Sequence, residues 1–224
     1  MSEWWTYSLS DFLLFSPRTY YRLFALYNEA VWPAHIATLA LGAASLVLTR
    51  RGGERERRTV LAILAALWLW IAWAFHAERF ATINWAATYY AYAFALQAAV
   101  LLWFALAQPG GGHLSTGRSN AALAIATFAI ALQPLLGLAL GRDVHQAEIF
   151  GLAPDPTAIA TLALLAAQPR TPWLAMIIPT LWCVMTGLTL WTMQAPDAYV
   201  SPIAGALALL AAAWKTKPNE DDRH

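Results

Sequence analysis

Apolar residues run along this chain in long blocks, separated by short polar or Gly/Pro-rich stretches. A helix that crosses roughly 30 Å of hydrocarbon needs about 20 such residues. Seven blocks meet or approach that length: 31–49, 59–79, 85–108, 121–140, 149–168, 173–193 and 199–214, the last being the shortest. The pattern predicts an all-α fold, a polytopic transmembrane helical bundle of about seven spans. Ahead of the first span, Ser16 followed by Pro17 is a helix-start signal. From there Tyr20, Leu23, Phe24 and Tyr27 recur at helical spacing, while Arg18, Arg22 and Glu29 share the opposite face. Such an aromatic stripe predicts an N-terminal interfacial amphipathic helix lying along the membrane surface. The alternative is a helix that runs on into the first span, kinked at Pro33. The chain therefore divides into an N-terminal segment (1–28), a transmembrane bundle (29–214) and a cytosolic polar tail (215–224).

The fifth block differs from the rest. It opens with FGLAPDPT (150–157), where Pro154 and Pro156 deny the backbone a continuous helix and Asp155 is placed to cap the helix beyond it. The remainder, 156–168, spans about 20 Å at helical rise, too short to cross alone. Its amino terminus should lie inside the outer half of the bilayer, where broken backbone is tolerated only against protein or a water-filled cavity. Transporters use such half-helices to hold ions. Asp155 would itself occupy the free N–H groups, which favours a structural cap or a cation site over an anionic substrate.

Composition sharpens the membrane reading. The 224 residues are 59% hydrophobic and 12% charged, against roughly 45–50% and 25% in soluble domains. A net charge of +1 gives no basic face for nucleic acid. One cysteine, Cys183, allows no internal disulfide and no CxxC motif, and no cleavable signal peptide is expected from MSEWWTYSLSDF. The loop 50–58 carries Arg50, Arg51, Arg55, Arg57 and Arg58, which marks the cytosol. Seven spans then place Arg118, Arg170, Lys215, Lys217 and Arg223 inside too, leaving only Arg18, Arg22, Arg79 and Arg142 outside. Six spans would move Lys215 and Lys217 to the wrong side. The expected topology is thus a multi-pass protein of the cell membrane, amino terminus outside and carboxy terminus cytosolic. Trp4, Trp5, Trp32, Trp85, Tyr89 and Tyr90 fall where an outer aromatic belt would sit, and Trp214 where an inner one would. The PGGG run at 109–112 lacks the Lys-Ser/Thr ending of a phosphate loop and reads as a turn.

Polar residues gather at the predicted outer ends: Asn28, Glu29 and His35, then His76 and Glu78, Asn84, His145 and Glu148, and Asp155. Asn28, Trp32 and His35 share one helix face. His35 lies roughly 6–9 Å inside its span, where an ionisable group should face protein or water. A neutral histidine bonded to a neighbouring helix is the plainer reading, and a ligand or proton-handling role the sharper one. Gln97 and Gln133, near mid-span, are expected to bond across helices, and Cys183 to be a packing residue. His76 and Glu78 are two apart and occupy different faces, whereas His145 and Glu148 could share one. A metal, or a haem between His35 and His76, would find donors here, yet no spacing requires either. The cofactor question stays open.

The segments LSDFLLFSPRTYYRLFALYNEAVWPA (9–34), INWAATYYAYAFALQA (83–98), FGLAPDPTAIATLALLA (150–166) and IPTLWC (178–183) resemble an uncharacterised family of bacterial multi-pass membrane proteins, a domain of unknown function. The resemblance implies a membrane location and no activity. Three classes of function then compete. One is a small transporter or permeation protein, a homo-oligomer with an outward site built from His35, Asn84 and Asp155; the shortage of charge in the spans speaks against a proton-coupled pump. Another is a non-catalytic subunit or assembly partner of a membrane complex. The third is a membrane redox or metal-binding protein. No nucleophile–base pair and no paired carboxylates point to an enzyme. The lipid bilayer is the one partner all three share.

Overall fold

The computed structural model describes residues 15–107 and 116–214. The 109–112 turn, the 215–224 tail and most of the 1–28 segment ahead of its helix lie outside the described residues. Within them the chain is helical, with no named strand. Helix α1 (Pro17–Val31) meets α2 (Ala34–Arg51) at 92°. Helix α3 (Glu54–Trp70) continues as a π-helical segment, Ile71–Ala77. Then come α4 (Ala87–Ala107), α5 (Thr116–Thr127), a second π segment (Phe128–Leu132) and α6 (Gln133–Ala139). The bundle closes with α7 (Pro154–Ala166), α8 (Trp173–Thr192) and α9 (Val200–Ala213).

A helix lies at each of the seven apolar blocks, but four stretches are long and apolar enough to cross a membrane: Glu54–Thr82, Ala87–Ala107, Thr116–Ala139 and Trp173–Thr192. The bent pair α1–α2 makes a fifth if counted as one span. The shortfall from seven has local causes. Arg50 and Arg51 end α2 and His35 begins it, so its apolar run is diluted. Helices α7 and α9 have 13 and 14 residues, about 20 Å each at helical rise.

Helix α1 also departs from expectation. Ser16 caps it, its side chain accepting from the Thr19 N–H at 3.2 Å. Its aromatic stripe, however, is buried against protein rather than turned to lipid. Tyr20, Leu23, Phe24 and Tyr27 are covered, with Tyr27 edge-on to Phe75, Phe24 tilted against it, and Tyr20 edge-on to Phe80. The turn after Trp70 thus supplies the apolar partner that the sequence assigned to the bilayer.

Helix α7 is the axis of the molecule. Every one of its residues is buried, and it packs on α5, α8 and α9. A mostly apolar surface suits a fully enclosed helix, its buried Asp155, Thr157 and Thr161 are hydrogen-bonded, and its alanines allow close approach. Around it, large side chains such as Ile36, Leu96, Leu106, Leu181 and Leu210 remain exposed. An outer surface of that kind is compatible with lipid and costly in water.

Candidate functional site

The turn into α7 builds the site. Gly151 adopts φ +80°, and Ala153 N–H donates back to the Ile149 carbonyl at 2.7 Å. Thr157 Oγ1 accepts from the Gly151 N–H and donates to the Ala153 carbonyl, both at 2.8 Å. Ala153 precedes the helix and makes no side-chain cap bond. Asp155 is therefore not the cap that the sequence predicts, and the helix starts two residues earlier. Pro154 and Pro156 both fall in the first turn, where the N–H they lack has no intrahelical partner to lose. Asp155 is freed to point inward.

There it meets α8 and α9. Trp182 Nε1 donates to Oδ1 at 2.7 Å, while the Thr186 and Ser201 hydroxyls donate to Oδ2 at 3.0 and 2.9 Å. Asp155 is 3% exposed. Beside it opens a cavity lined among others by Gln133, Arg142, Glu148, Asp197 and Ser201. It offers about 20 Å³ to the centre of a water molecule, room for one water.

Arg142 is aimed by the end of α6. Gly141 is left-handed at φ +80°. Its N–H donates to the Leu138 carbonyl at 3.0 Å and that of Arg142 to Gly137 at 2.8 Å, the paired bonds of a Schellman motif. The guanidinium then lies 4.6 Å from the Tyr21 ring centre and donates through Nη2 to Asp197 Oδ2 at 2.5 Å. Its Nε and Nη1, Asp197 Oδ1 and Gln133 Oε1 are buried without partners. Burial, followed by the neighbouring Asp155, raises Glu148 well above the ordinary carboxylate range. Burial alone would lower the Arg142 guanidinium, but Glu148 and Asp197 outweigh it and raise it.

The other sequence candidates sit apart from this cavity's lining. Asn28 ties α1 to the loop before α7, its amide donating to the carbonyls of His145 and Ala147 at 2.7 and 2.9 Å. His35 Nε2 is 3.3 Å from Asn28 Oδ1. Asn84 Oδ1 accepts from the Ala86 N–H at the entry to α4. Glu29 and Glu78 are exposed, and the exposed His145 ring contacts Asp143 at 2.6 Å. The backbone N–H of His145, then its ring, hold Asp143 below its usual value. Gln97 donates to the Ala175 carbonyl at 2.7 Å, bridging α4 and α8.

His76 is fully buried with both ring nitrogens unpartnered. The π segment turns it into a cage of Phe75, Phe80, Tyr90, Phe94 and Trp182, whose ring centres lie 4.4–6.1 Å away. Among the described residues no three of His, Cys, Asp or Glu converge as a metal-binding group. Sequence reasoning misses Arg142, Asp197, Trp182, Thr186 and Ser201 as members of the site. Arg142 and Asp197 are legible as charges beside Gly141 and Pro196, flanking apolar blocks, but nothing in the sequence pairs residues 55 positions apart.

The geometry defines a class: an all-helical protein, with several helices apolar enough to cross a membrane, enclosing carboxyl groups around a water-sized chamber. The chain belongs to a family of unknown function, DUF6064, which it matches over residues 18–223. No curated protein and no solved structure matches it.

Proposed function

We propose that this is a small seven-span transporter or permeation protein whose outward-facing site, the chamber beside Asp155, takes up protons. One observation carries the reading: Glu148, Asp155 and Asp197 share a buried chamber with a single guanidinium, Arg142. With all three ionised the chamber holds two surplus negative charges. Uncompensated buried charge is so costly that the chamber must take up protons. The one-water volume suits a proton carried on water rather than an organic molecule. The local density of charge also removes the objection to proton coupling, since that objection counts charges along the spans and not where they converge.

Seven spans, with the amino terminus outside, are supported by the positive charges of the 50–58 loop. Enclosure of α7 by its neighbours supports them too, since a helix shielded from lipid needs no full hydrophobic length. Asn28 and His35 belong to the rim of the proposed site, because Asn28 holds the loop that carries Glu148. In vesicles containing the purified protein and a pH-sensitive dye, an imposed proton gradient should collapse faster than in protein-free vesicles. Glu148→Gln and Asp197→Asn should each slow that collapse at least tenfold. Equal rates for the protein and both variants would sink the proposal.

A further inference from the structure

A second cavity lies at the opposite end of α7 and has the opposite charge. It is lined by the α2–α3 turn from Leu48 to Glu54, by Arg57, by Thr116, Ser119 and Asn120 of α5, and by Gln168 just beyond α7. About 670 Å³ is open there to the centre of a water molecule, far more than the acid chamber offers. Helices α3 and α5 begin at this cavity while α2 and α7 end there, so their dipoles offset one another. Side chains set its sign. Among the described residues, Arg50, Arg51 and Arg57 face one carboxylate, Glu54, a surplus of two positive charges.

The pairing within that set is uneven. Glu54 is held by Arg57 at 2.8 Å and by Arg58 at 2.6 Å. Among the described residues Arg50 and Arg51 have no ion-pair partner. Gln168 is 8% exposed and lines the cavity, and its side-chain amide bonds nothing among the described residues, so it is available to a ligand there. Two carbonyls at this end that would repel an anion are already taken: Arg118 donates to the Ala166 carbonyl at 2.9 Å and to that of Gln168 at 3.1 Å.

We infer that this cavity is a binding site for a phosphate group, held by the Arg50 and Arg51 guanidiniums with amide and hydroxyl donors from Gln168, Asn120, Thr116 and Ser119. Planar guanidiniums match phosphate oxygens two at a time, and a pocket between helices beside a basic turn suits an anionic headgroup. The inference stands independently of the acid chamber, about 20 Å away along α7. A lipid headgroup and a free phosphate offer the same chemistry, and the test separates them.

Thermal unfolding of the purified full chain is measured with inorganic pyrophosphate in detergent, then in nanodiscs of phosphatidylglycerol against phosphatidylcholine, at matched ionic strength. A saturable rise of several degrees with pyrophosphate assigns a free phosphate; a rise with phosphatidylglycerol alone assigns a headgroup. Either rise should vanish in the double variant Arg50→Gln/Arg51→Gln and persist in Arg55→Gln, which removes an exposed charge at the start of α3 outside the cavity. Both Arg50 and Arg51 are exposed, so their loss should leave folding intact. No rise with either probe, or a rise that Arg55→Gln reduces as much as the double variant, overturns the site.

Discussion

Asp155 concentrates the energetics of the acid chamber in one side chain. Three donors from two helices end on it, and each would be left buried and unpaired by Asp155→Ala. Unsatisfied buried donors cost roughly 1–3 kcal/mol apiece, with partial relief where a water can enter. Asp155→Ala should therefore lower stability by roughly 3–5 kcal/mol, read as the midpoint of thermal unfolding in detergent. Asp155→Asn keeps one acceptor oxygen and should lose less than half of that; equal losses would show that the hydrogen bonds are not what matters. Glu148 adds a pH dependence with a definite sign. Its value in the folded protein is raised, chiefly by burial and next by Asp155, with Asp197 adding and Arg142 opposing. The folded state thus holds the proton more tightly than the unfolded one. Stability from this group is full below the ordinary carboxylate range and is lost as pH rises toward the raised value. Between pH 5 and pH 8 the unfolding midpoint should fall, and Glu148→Gln should flatten that fall. A slope unchanged by the substitution would move its origin to another group.

At the scale of elements, the chamber depends on how α7 is started. The 150–157 run is legible as a break because two prolines and a glycine interrupt an apolar block, and the structure keeps the break. What the sequence does not convey is that Pro154 and Pro156 both fit the first turn, which releases Asp155 from capping. Gly151 is the residue that makes this turn compact. At φ +80° a side chain is strained, and a Cβ there would come within 3.1 Å of Leu67 and Thr38 side-chain atoms. Gly151→Ala should cost roughly 2–4 kcal/mol from backbone strain and overpacking together. It should also raise hydrogen exchange across 149–157 before the rest of the bundle loosens. Helix α1 teaches the converse. Its amphipathic stripe is legible as a buried face, but periodicity cannot name the partner. Phe75 and Phe80 take that role because the π segment after Trp70 carries the chain beneath α1.

For the molecule as a whole, the described residues of the two cavities give α7 a charge axis: surplus carboxylates where it starts and surplus guanidiniums just past its end. The arginine turn follows the same rule that predicts orientation, so the sequence already contains one pole. The other pole is hidden because its members, Arg142, Glu148, Asp155 and Asp197, are scattered along the chain and converge only through α6, α7, α8 and α9. Orientation decides which pole faces the cell exterior, and it is directly measurable. Cys183 is 2% exposed, and its replacement by Ala should cost little and leave a background without cysteine. On that background Arg55→Cys, at the start of α3, should react with a membrane-impermeant maleimide only after the membrane is opened. His145→Cys, on the exposed loop beside the acid chamber, should react in intact cells. The reverse pattern would turn the acid chamber toward the cytosol. A proton-linked site would survive that result as chemistry, but the outward-facing reading would not.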